Sequence, residues 1–435
     1  MFKSIFVYAV NAINAEINTR AEFLANHGKV VYSAILAVFT FLAFIIYQLI
    51  SDREIIRSTF TDFEYDTTLK LYSIIKHTPQ NAPKIITILV DENYLKENNL
   101  NASDGGLRFN FTPRSMLANI LNDLNVAMDG AKPKLVLLDY LLPHPSDINS
   151  TTPTNDDKYL IDTLNKLEFP VLIPTYSDKI FIENEITNKN VYFGSTLISL
   201  ASDNVARSYS PYFCRDEKPI FHIASVLGKS YEGKENGLCA KQSKHSYSDL
   251  LKTRILYKEI LGDIGAKYSK YSNIHIYSAS EVINMDEDFD DAIVLIGSDH
   301  TGSNDIVKTS VDTRSGVLIL ADAINTAYIT NGQGLKTLPS WMLAPLYAIT
   351  LFLVTFGVLR FCERIGIQNM VAKENLILFA NILAFFIPSF IMVFWGYYIS
   401  WVVPLILFKV IDYIFLVIEK IKATRLLKVK FQRGK

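Results

Sequence analysis

The sequence predicts an α/β extracytoplasmic domain with a largely parallel sheet flanked by helices, attached to four transmembrane helices, one N-terminal and three C-terminal. Two observations lead to this prediction. The 435 residues are 49% hydrophobic, which is high for a soluble protein, and the longest apolar runs lie near the two ends of the chain. Between them, short apolar runs alternate with amphipathic stretches, which is the pattern of βαβ units.

The first predicted span covers residues 30–50, which contain no charged side chain. About 20 apolar residues are enough for a helix to cross a hydrocarbon core of about 30 Å. The run is too long for a removable signal peptide, and the charged residues 52–54 follow it directly, so we expect an uncleaved anchor. Three further spans are predicted near the C-terminus, with aromatic residues at their ends that suit the membrane interface: 341–359, 375–395 and 397–418.

The charge distribution predicts the orientation. Residues 419–435 carry seven basic side chains and one acidic one, and Lys and Arg close to spans mark cytoplasmic segments. With four spans, a cytoplasmic tail puts residues 1–29, an amphipathic segment, on the same side. Residues 51–340 then form one extracytoplasmic domain, with 29 basic and 38 acidic residues (net −9) against +8 for the rest. The formal total of −1 gives no support to a nucleic-acid binder.

Cysteine usage fits this orientation. Cys214 and Cys239 both lie in the external domain, where disulfides persist, whereas Cys362 lies on the cytoplasmic side of the second span. We expect a Cys214–Cys239 bridge. The alternative is two unrelated buried thiols.

Within the external domain, residues 52–76 predict a helix that continues outward from the first span, because they lack Gly and Pro and have helical apolar spacing. Buried strands are predicted at Ile85–Val90, Leu135–Asp139, Val171–Pro174, Ile274–Tyr277 and Ala292–Gly297. Helices are predicted at Pro113–Met128, Asp157–Leu167, Pro219–Gly228, Ala279–Met285 and Val317–Ile329.

These segments, in this order, resemble the type-two CHASE domains (cyclases and histidine kinases associated sensory extracellular). The segments that carry the resemblance are Ile88-Leu89-Val90-Asp91-Glu92, Thr112-Pro113-Arg114, Leu135 to Asp139, Gly194, Asp203 to Arg207, Ser278 to Ile283, and Ile293 to Gly297 through Asp305 to Gly316-Val317, Ala321 and Ala323. The resemblance implies a bacterial extracytoplasmic sensor in the inner membrane, with one helix before the domain and three after it, and it suggests a dimer.

The chain also departs from that family. Leu320 occupies the position of a common histidine, Asp322 that of a common asparagine, and Thr309-Ser310 that of a Thr-Pro pair. Members usually carry a cyclase or kinase after the last span, whereas about 17 residues follow Ile418 here. We therefore expect the output to come from a separate protein.

Candidate ligand-binding residues lie where predicted parallel strands end, because open parallel sheets bind ligands at that edge. Arg114 and Arg207 suit an anionic ligand, whereas acidic side chains suit a cation. Alternatively, these carboxylates cap helices and satisfy turns. The acidic candidates are Asp91, Glu92, Asp139 and Asp305.

Other sequence patterns give weaker evidence for a functional site. Met285 to Asp291 lacks the glycine and spacing of a calcium loop, and His300 has no second ligand at metal spacing, so it is read as an exposed loop residue. No GxSxG motif anchors a hydrolase triad. We predict no catalytic residues, no metal, no cofactor and no enzymatic activity.

Lys409 and Asp412 are predicted to lie in the middle of the last span, where a charged side chain costs roughly 2.5–3.5 kcal/mol. Their i, i+3 spacing puts them on one helix face. They either neutralise each other or contact another helix and couple it to the signal.

Two functions remain open at this stage. The first is a sensor or ligand-binding subunit that signals to a separate partner. The second is a non-catalytic structural subunit of a cell-envelope assembly.

Overall fold

The computed structural model describes residues 28–45, 54–75, 82–98, 112–147, 152–176, 180–229, 238–239, 253–261, 268–300, 302–303, 305–332, 335–337 and 340–414. The chain divides into two compact units. One is Thr68–Lys336, and the other combines Met1–Thr67 with Thr337–Lys435.

The first unit is built on a six-stranded sheet in which every neighbouring pair is parallel. The strands are β1 (Ile85–Asp91), β2 (Leu135–Leu138), β3 (Val171–Pro174), β4 (Val191–Gly194), β12 (Ile274–Ser278) and β13 (Ile293–Asp299). Their order across the sheet is β12-β1-β13-β2-β3-β4. The prediction of a largely parallel sheet is confirmed, and its five predicted strands are all present. Strand β4 was not predicted.

The central strands are fully buried, which explains why their sequences are continuous apolar runs. All seven residues of β1 and all seven of β13 are buried. Helices cover both faces of such a sheet, so neither face needs polar side chains. The register pairs Asp91 with Asp299 at the carboxyl end of these strands.

The helices of this unit begin and end as local sequence dictates. They are α3 (Glu92–Glu97), α4 (Arg114–Met128), α5 (Asn155–Lys166), α6 (Ile223–Leu227) and α7 (Gly316–Ile329), with 3₁₀ turns at Phe181–Asn184 and Ala279–Asn284. Thr154 and Asp157 form a capping box at the start of α5. The long helix α2 (Glu54–Ile74) lies within the range 52–76 that was predicted to be helical, and its last seven residues belong to this unit.

Two helix predictions need correction. Residues 279–285 form a 3₁₀ turn rather than an α-helix. The predicted helix 219–228 is half strand, because Lys218–Phe221 pairs with Tyr212–Arg215 in a hairpin before α6 begins.

A second, smaller sheet was not predicted. It contains β5 (Ile198–Leu200), β6 (Val205–Tyr209), β9 (Thr253–Arg254), β14 (Ile306–Thr309) and β15 (Thr313–Ser315). The hairpin β7 (Tyr212–Arg215) and β8 (Lys218–Phe221) and the pair β10 (Ile260–Leu261) and β11 (Tyr268–Ser269) complete the unit, with β16 (Lys336–Thr337) at its end. The predicted disulfide is confirmed: Cys214 in β7 is bonded to Cys239, with Cα atoms 5.8 Å apart.

Among its described residues, the second unit contains three helices long and apolar enough to cross a membrane. They are α1 (Gly28–Ile45), α8 (Ser340–Arg364) and α9 (Met370–Val393). A fourth span is not shown: within 397–418 there is a short strand β17 (Tyr397–Tyr398) and a helix α10 over 402–414. The predicted basic tail 419–435 and nearly all of the amphipathic segment 1–29 lie outside the described residues.

Candidate functional site

A cavity of about 630 Å³ lies at the carboxyl edge of the parallel sheet. Segments that follow β2, β3, β4 and β13 line it, together with the start of α4 and the first turns of α7. This is the edge at which open α/β sheets bind ligands, because loops leave it there and helices begin. The volume lies in the range of small-molecule sites, about 300–1,000 Å³.

Two of the predicted carboxylates face this cavity. Asp139 follows β2, and its backbone N–H donates to the carbonyl of Ile296 at 2.8 Å. Asp305 precedes β14 and lies so close to Gly316 that a Cβ atom there would come within 2.4 Å of its carboxylate. Any side chain at position 316 would therefore push Asp305 out of place, and this close approach requires glycine.

The environment of both carboxylates disfavours negative charge. Burial, together with the charge of Asp305, raises the pKa of Asp139 to about 7, against an opposing hydrogen bond from Thr196. Burial raises the pKa of Asp305 to about 6, although a backbone hydrogen bond from Gly316 lowers it. Among the described residues, neither carboxylate has an ion pair within 4.0 Å.

The remaining walls are largely apolar and aromatic. Tyr140 follows Asp139 and accepts a hydrogen bond from Ser298 at 3.0 Å, and Tyr176 lies after β3. Burial raises the pKa of both phenols, so they stay neutral. The apolar lining residues are Leu141, Leu142, Pro143, Pro145, Pro174, Leu197, Ile198, Leu200, Val307, Ile319 and Leu320.

Arg114 also lines the cavity, but its guanidinium is already paired with other groups of the protein. Its guanidinium pairs with the buried Asp157 and donates to the carbonyl of His144, and it lies 4.9 Å from the ring centroid of Phe181. Although burial opposes it, hydrogen bonds from Ser146 and Thr154 lower the pKa of Asp157 to about 2, so this partner stays ionised. Arg114 thus joins α4 to α5 and adds little free positive charge to the cavity.

Three predicted residues lie away from the cavity lining. Asp91 caps α3, accepting from the backbone N–H of Tyr94 at 2.9 Å and from the hydroxyl of Ser278 at 3.0 Å. Glu92 begins that helix. Arg207 forms a bidentate pair with Asp203 at 2.7 and 2.8 Å. For Asp91 the capping alternative therefore describes the geometry.

Sequence reasoning misread or missed several lining residues. His300 is buried, with 6% of its surface exposed, and lines the cavity, so its interpretation as an exposed loop residue was wrong. Tyr140 and Tyr176 were not singled out, although each comes one or two residues after a predicted strand. Within the described part of the chain, no group of three or more His, Cys, Asp or Glu side chains is placed to hold a metal ion.

Comparison with known protein families shows which family this chain belongs to. The family model of the CHASE2 domain matches residues 37–359, which is most of the chain. The chain belongs to the CHASE2 domain family. CHASE2 is an extracellular sensory domain. No curated protein and no solved structure matches the chain.

Leu320 and Asp322, the two positions of α7 at which the sequence was expected to depart from the family, have different surroundings. Leu320 lines the cavity, whereas Asp322 pairs with Arg314. Position 320 therefore contributes an apolar side chain to the cavity wall.

A second cluster of charges lies within the CHASE2 domain, and its members form ion pairs with one another. Arg314 is 4% exposed and pairs with Asp312 and Asp322, and it donates to the carbonyl of Lys258 at 2.8 Å. Lys258 is completely buried, and its ammonium group donates to the carbonyls of Tyr72 and Ile75. Burial lowers the pKa of Lys258 to about 7, whereas the charge of Asp322 opposes this shift.

The predicted intramembrane charges lie together on α10. The Lys409 ammonium is 3.9 Å from the carboxylate of Asp412. Asp412 is 1% exposed and also accepts a hydrogen bond from the Tyr32 hydroxyl of α1 at 3.0 Å. Asp412 therefore contacts both Lys409 of its own helix and Tyr32 of another helix, and the role of the pair in signalling stays a prediction.

Proposed function

We propose that this protein is a non-catalytic sensor of the bacterial inner membrane that binds a small organic cation in the cavity of its CHASE2 domain and signals to a separate partner protein. The observation that carries the proposal is the Asp139–Asp305 pair, two carboxylates without an ion-pair partner among the described residues, in a cavity of about 630 Å³.

The ligand's charge is argued from what each side chain already contacts. Arg114 and Arg207 are paired with Asp157 and Asp203, so the cationic groups that suit an anion are already neutralised. Asp139 and Asp305 repel each other, which a bound cation would relieve. An organic cation fits better than a metal ion, because Tyr140, Tyr176 and many apolar side chains surround a volume much larger than one ion.

The aromatic walls favour the same class of ligand. The faces of tyrosine rings attract ammonium groups, by about 0.5–2 kcal/mol depending on desolvation. The body of such a ligand would pack against side chains such as Leu142, Ile198 and Leu320. The expected ligand therefore has one apolar part and one positively charged amine.

We propose that the CHASE2 domain faces the periplasm and that the N- and C-termini are cytoplasmic. The excess of basic residues in 419–435 supports this orientation, and the Cys214–Cys239 bond suits an oxidising compartment. Ser202 is an exposed residue in a turn. A cysteine at this position should react with a membrane-impermeant thiol reagent in intact spheroplasts, and labelling only after lysis would overturn the orientation.

The separate partner and the dimeric state are both part of this proposal, and the resemblance to the family supports only the dimer. Purification in mild detergent, followed by mass spectrometry, should recover a second protein or a second copy of the chain. If substitutions in the cavity left cellular output intact while surface substitutions abolished co-purification, the protein would instead be a structural subunit of an envelope assembly.

The binding test uses three probes of similar shape and different charge: benzylammonium, benzyl alcohol and benzoate. We expect the full-length protein in nanodiscs to bind benzylammonium at least about tenfold more tightly than the other two, a difference of about 1.4 kcal/mol. Asp139→Asn should remove most of this preference. Asp162→Asn is the matched control, since Asp162 is exposed on α5. Preference for benzoate, or equal binding of all three, would overturn the cation assignment.

A further inference from the structure

We propose that the cavity contains a second, uncharged subsite, formed by His300, Thr112 and Tyr140, that binds a hydroxyl group of the ligand. This inference rests on the proposed function for the amine, and it narrows the ligand class to amines that also carry a hydroxyl. The observation behind it is that two buried polar side-chain atoms of residues lining the cavity have no hydrogen-bond partner among the described residues.

The first of these atoms is Nδ1 of His300, the residue that directly follows β13. Ser298 and His300 both line the cavity, whereas Asp299 between them does not, as the alternation of side chains along a strand predicts. No residue in the described part of the chain bonds to the buried Nδ1 atom. Buried polar atoms nearly always have a hydrogen-bond partner. An unpartnered one in the wall of a cavity therefore marks a place that a ligand can complete.

The imidazole of His300 is uncharged at neutral pH. Burial lowers its pKa, although the charges of Glu92 and Asp299 oppose this shift. A neutral imidazole has one N–H donor and one acceptor nitrogen. It supplies no positive charge for an anion, and the acidic side chains near it disfavour an anion further. A neutral hydrogen-bonding group therefore suits this part of the cavity best.

The second atom is Oγ1 of Thr112, next to the N-cap residue of α4. Thr112 is 7% exposed and lines the cavity. Burial raises the pKa of Tyr140, and Thr112 is close enough to oppose that shift. Even so, Oγ1 has no partner in hydrogen-bond geometry within the described ranges. The Tyr140 oxygen accepts from Ser298 at 3.0 Å, so the phenol can still donate its own proton.

A ligand hydroxyl matches these groups because its single oxygen both donates and accepts hydrogen bonds. It would provide partners for buried atoms that otherwise cost free energy to leave unsatisfied. Asp139 and Asp305 line the same cavity of about 630 Å³. One molecule with an amine and a hydroxyl could therefore reach both subsites.

Matched probes test the subsite on the full-length protein in nanodiscs. They are benzylammonium and its 3-hydroxy and 4-hydroxy derivatives, which differ only in the hydroxyl. At least one hydroxy derivative should bind about fivefold or more tightly than benzylammonium, and the double variant His300→Phe, Thr112→Val should reduce this advantage to less than about twofold. An advantage that is absent from the parent, or that persists in the double variant, would overturn the subsite.

Thr326→Val is the matched control for these titrations. Thr326 is also a buried threonine, but it lies outside the cavity lining and its hydroxyl has partners. It accepts from the backbone N–H of Leu256 at 2.8 Å and donates to the carbonyl of Asp322 at 2.7 Å. The hydroxyl advantage should survive in Thr326→Val.

Thermal melting without any ligand gives a second, independent measurement. Thr112→Val replaces an unpartnered hydroxyl with a methyl group of the same shape, so this variant should melt at the parent's temperature or above it. Thr326→Val breaks two hydrogen bonds and should melt below the parent. Equal losses in the two variants would show that the Thr112 hydroxyl already has a partner, and would overturn the subsite.

Benzyl alcohol and its 3-hydroxy and 4-hydroxy derivatives separate this inference from the proposed function. If these neutral probes show the hydroxyl advantage while ammonium probes bind no more tightly than neutral ones, the subsite stands and the cation assignment falls. If ammonium is preferred but a hydroxyl adds no affinity to either series, the cation assignment stands and the subsite falls.

Discussion

The CHASE2 domain contains two groups of charged side chains that differ in whether the charges are paired. The paired group stabilises the fold, whereas the unpaired group faces the proposed binding cavity. The Arg314 cluster pairs a guanidinium with Asp312 and Asp322, and all three are tied to neighbouring backbone or side chains. The carboxylates of Asp139 and Asp305 face a cavity, with no ion pair among the described residues. A buried charge that is paired holds elements together, whereas one that faces an open volume is a cost to the fold that binding can relieve.

The largest expected effect comes from the paired cluster. Arg314→Met would leave the buried Asp322 and the partly exposed Asp312 without their cation, which costs about 3–5 kcal/mol. Thermal unfolding of the full chain should report a large loss of stability. The exposed Lys308 of β14 provides the control, since Lys308→Met should change stability by less than about 0.5 kcal/mol.

A second substitution sharpens this test. Adding Asp322→Leu to Arg314→Met removes one of the uncompensated charges and should recover part of the lost stability. If Arg314→Met melted like the parent protein, the cluster would not be holding α7 and β15 together, and the contrast between the two charged regions would disappear.

The next effect concerns the carboxylates that face the cavity. Removing a charge there should raise the stability of the fold rather than lower it. The folded-state pKa of Asp139, about 7, lies above the ordinary value of 3.8, so this residue favours the fold at low pH and that contribution is lost as pH rises from about 4 to 7. Asp139→Asn should therefore melt at a higher temperature than the parent at pH 8. Near pH 4 the two should melt alike. Equal melting at both pH values would show that Asp139 is not destabilised by its surroundings.

The pH dependence of cation binding is a further expected result. Binding requires ionised carboxylates, whose pKa values are about 7 and 6 in the free protein. The affinity for benzylammonium should rise between pH 5 and 8, by up to about tenfold per pH unit for each carboxylate that must lose a proton. Above about pH 8 it should be constant. Asp305→Asn should reduce the steepness of this rise.

The smallest effect is expected at Asp91, a carboxylate at the same edge of the sheet that already accepts hydrogen bonds from the protein. Asp91→Ala removes the cap of α3 and should cost about 1 kcal/mol of stability, because Tyr94 and Ser278 lose their acceptor. It should leave benzylammonium binding within about twofold of the parent. A large loss of affinity in this variant would place Asp91 in the binding site after all.

The elements that sequence reasoning predicted have a strong local cause. Strands β1 and β13 are buried on both faces, so their residues form uninterrupted apolar runs that differ from everything around them. Helix α5 is preceded by Thr154 with Asp157 three positions later, a capping box that can be read directly. Such signals do not depend on distant partners.

The elements that were missed lack a local signal. Strand β6 pairs with β14 about 100 residues later, and both are short. The turn of the β7–β8 hairpin uses Asp216 and Glu217, both with positive φ. Asn-Gly or Asp-Gly usually marks such a turn, so its absence made Pro219 look like the start of a helix.

The candidate site was predictable only in outline. The carboxyl edge of the sheet follows from parallel pairing, which is why Asp139 and Asp305 were among the candidates. Which carboxylates face the cavity depends on contacts across long sequence separations, such as the one between Asp91 and Ser278. The Lys258–Arg314–Asp322 cluster depends on such contacts as well, and no spacing in the sequence indicates it.

The most direct test of the central claim is the number of protons released when benzylammonium binds at pH 6.5. Isothermal titration in two buffers of different ionisation enthalpy measures that number. If the cation is held by Asp139 and Asp305, the parent protein should release a substantial fraction of a proton, and the Asp139→Asn, Asp305→Asn double variant should release almost none. Binding without proton release in the parent, or equal release in both proteins, would contradict the account.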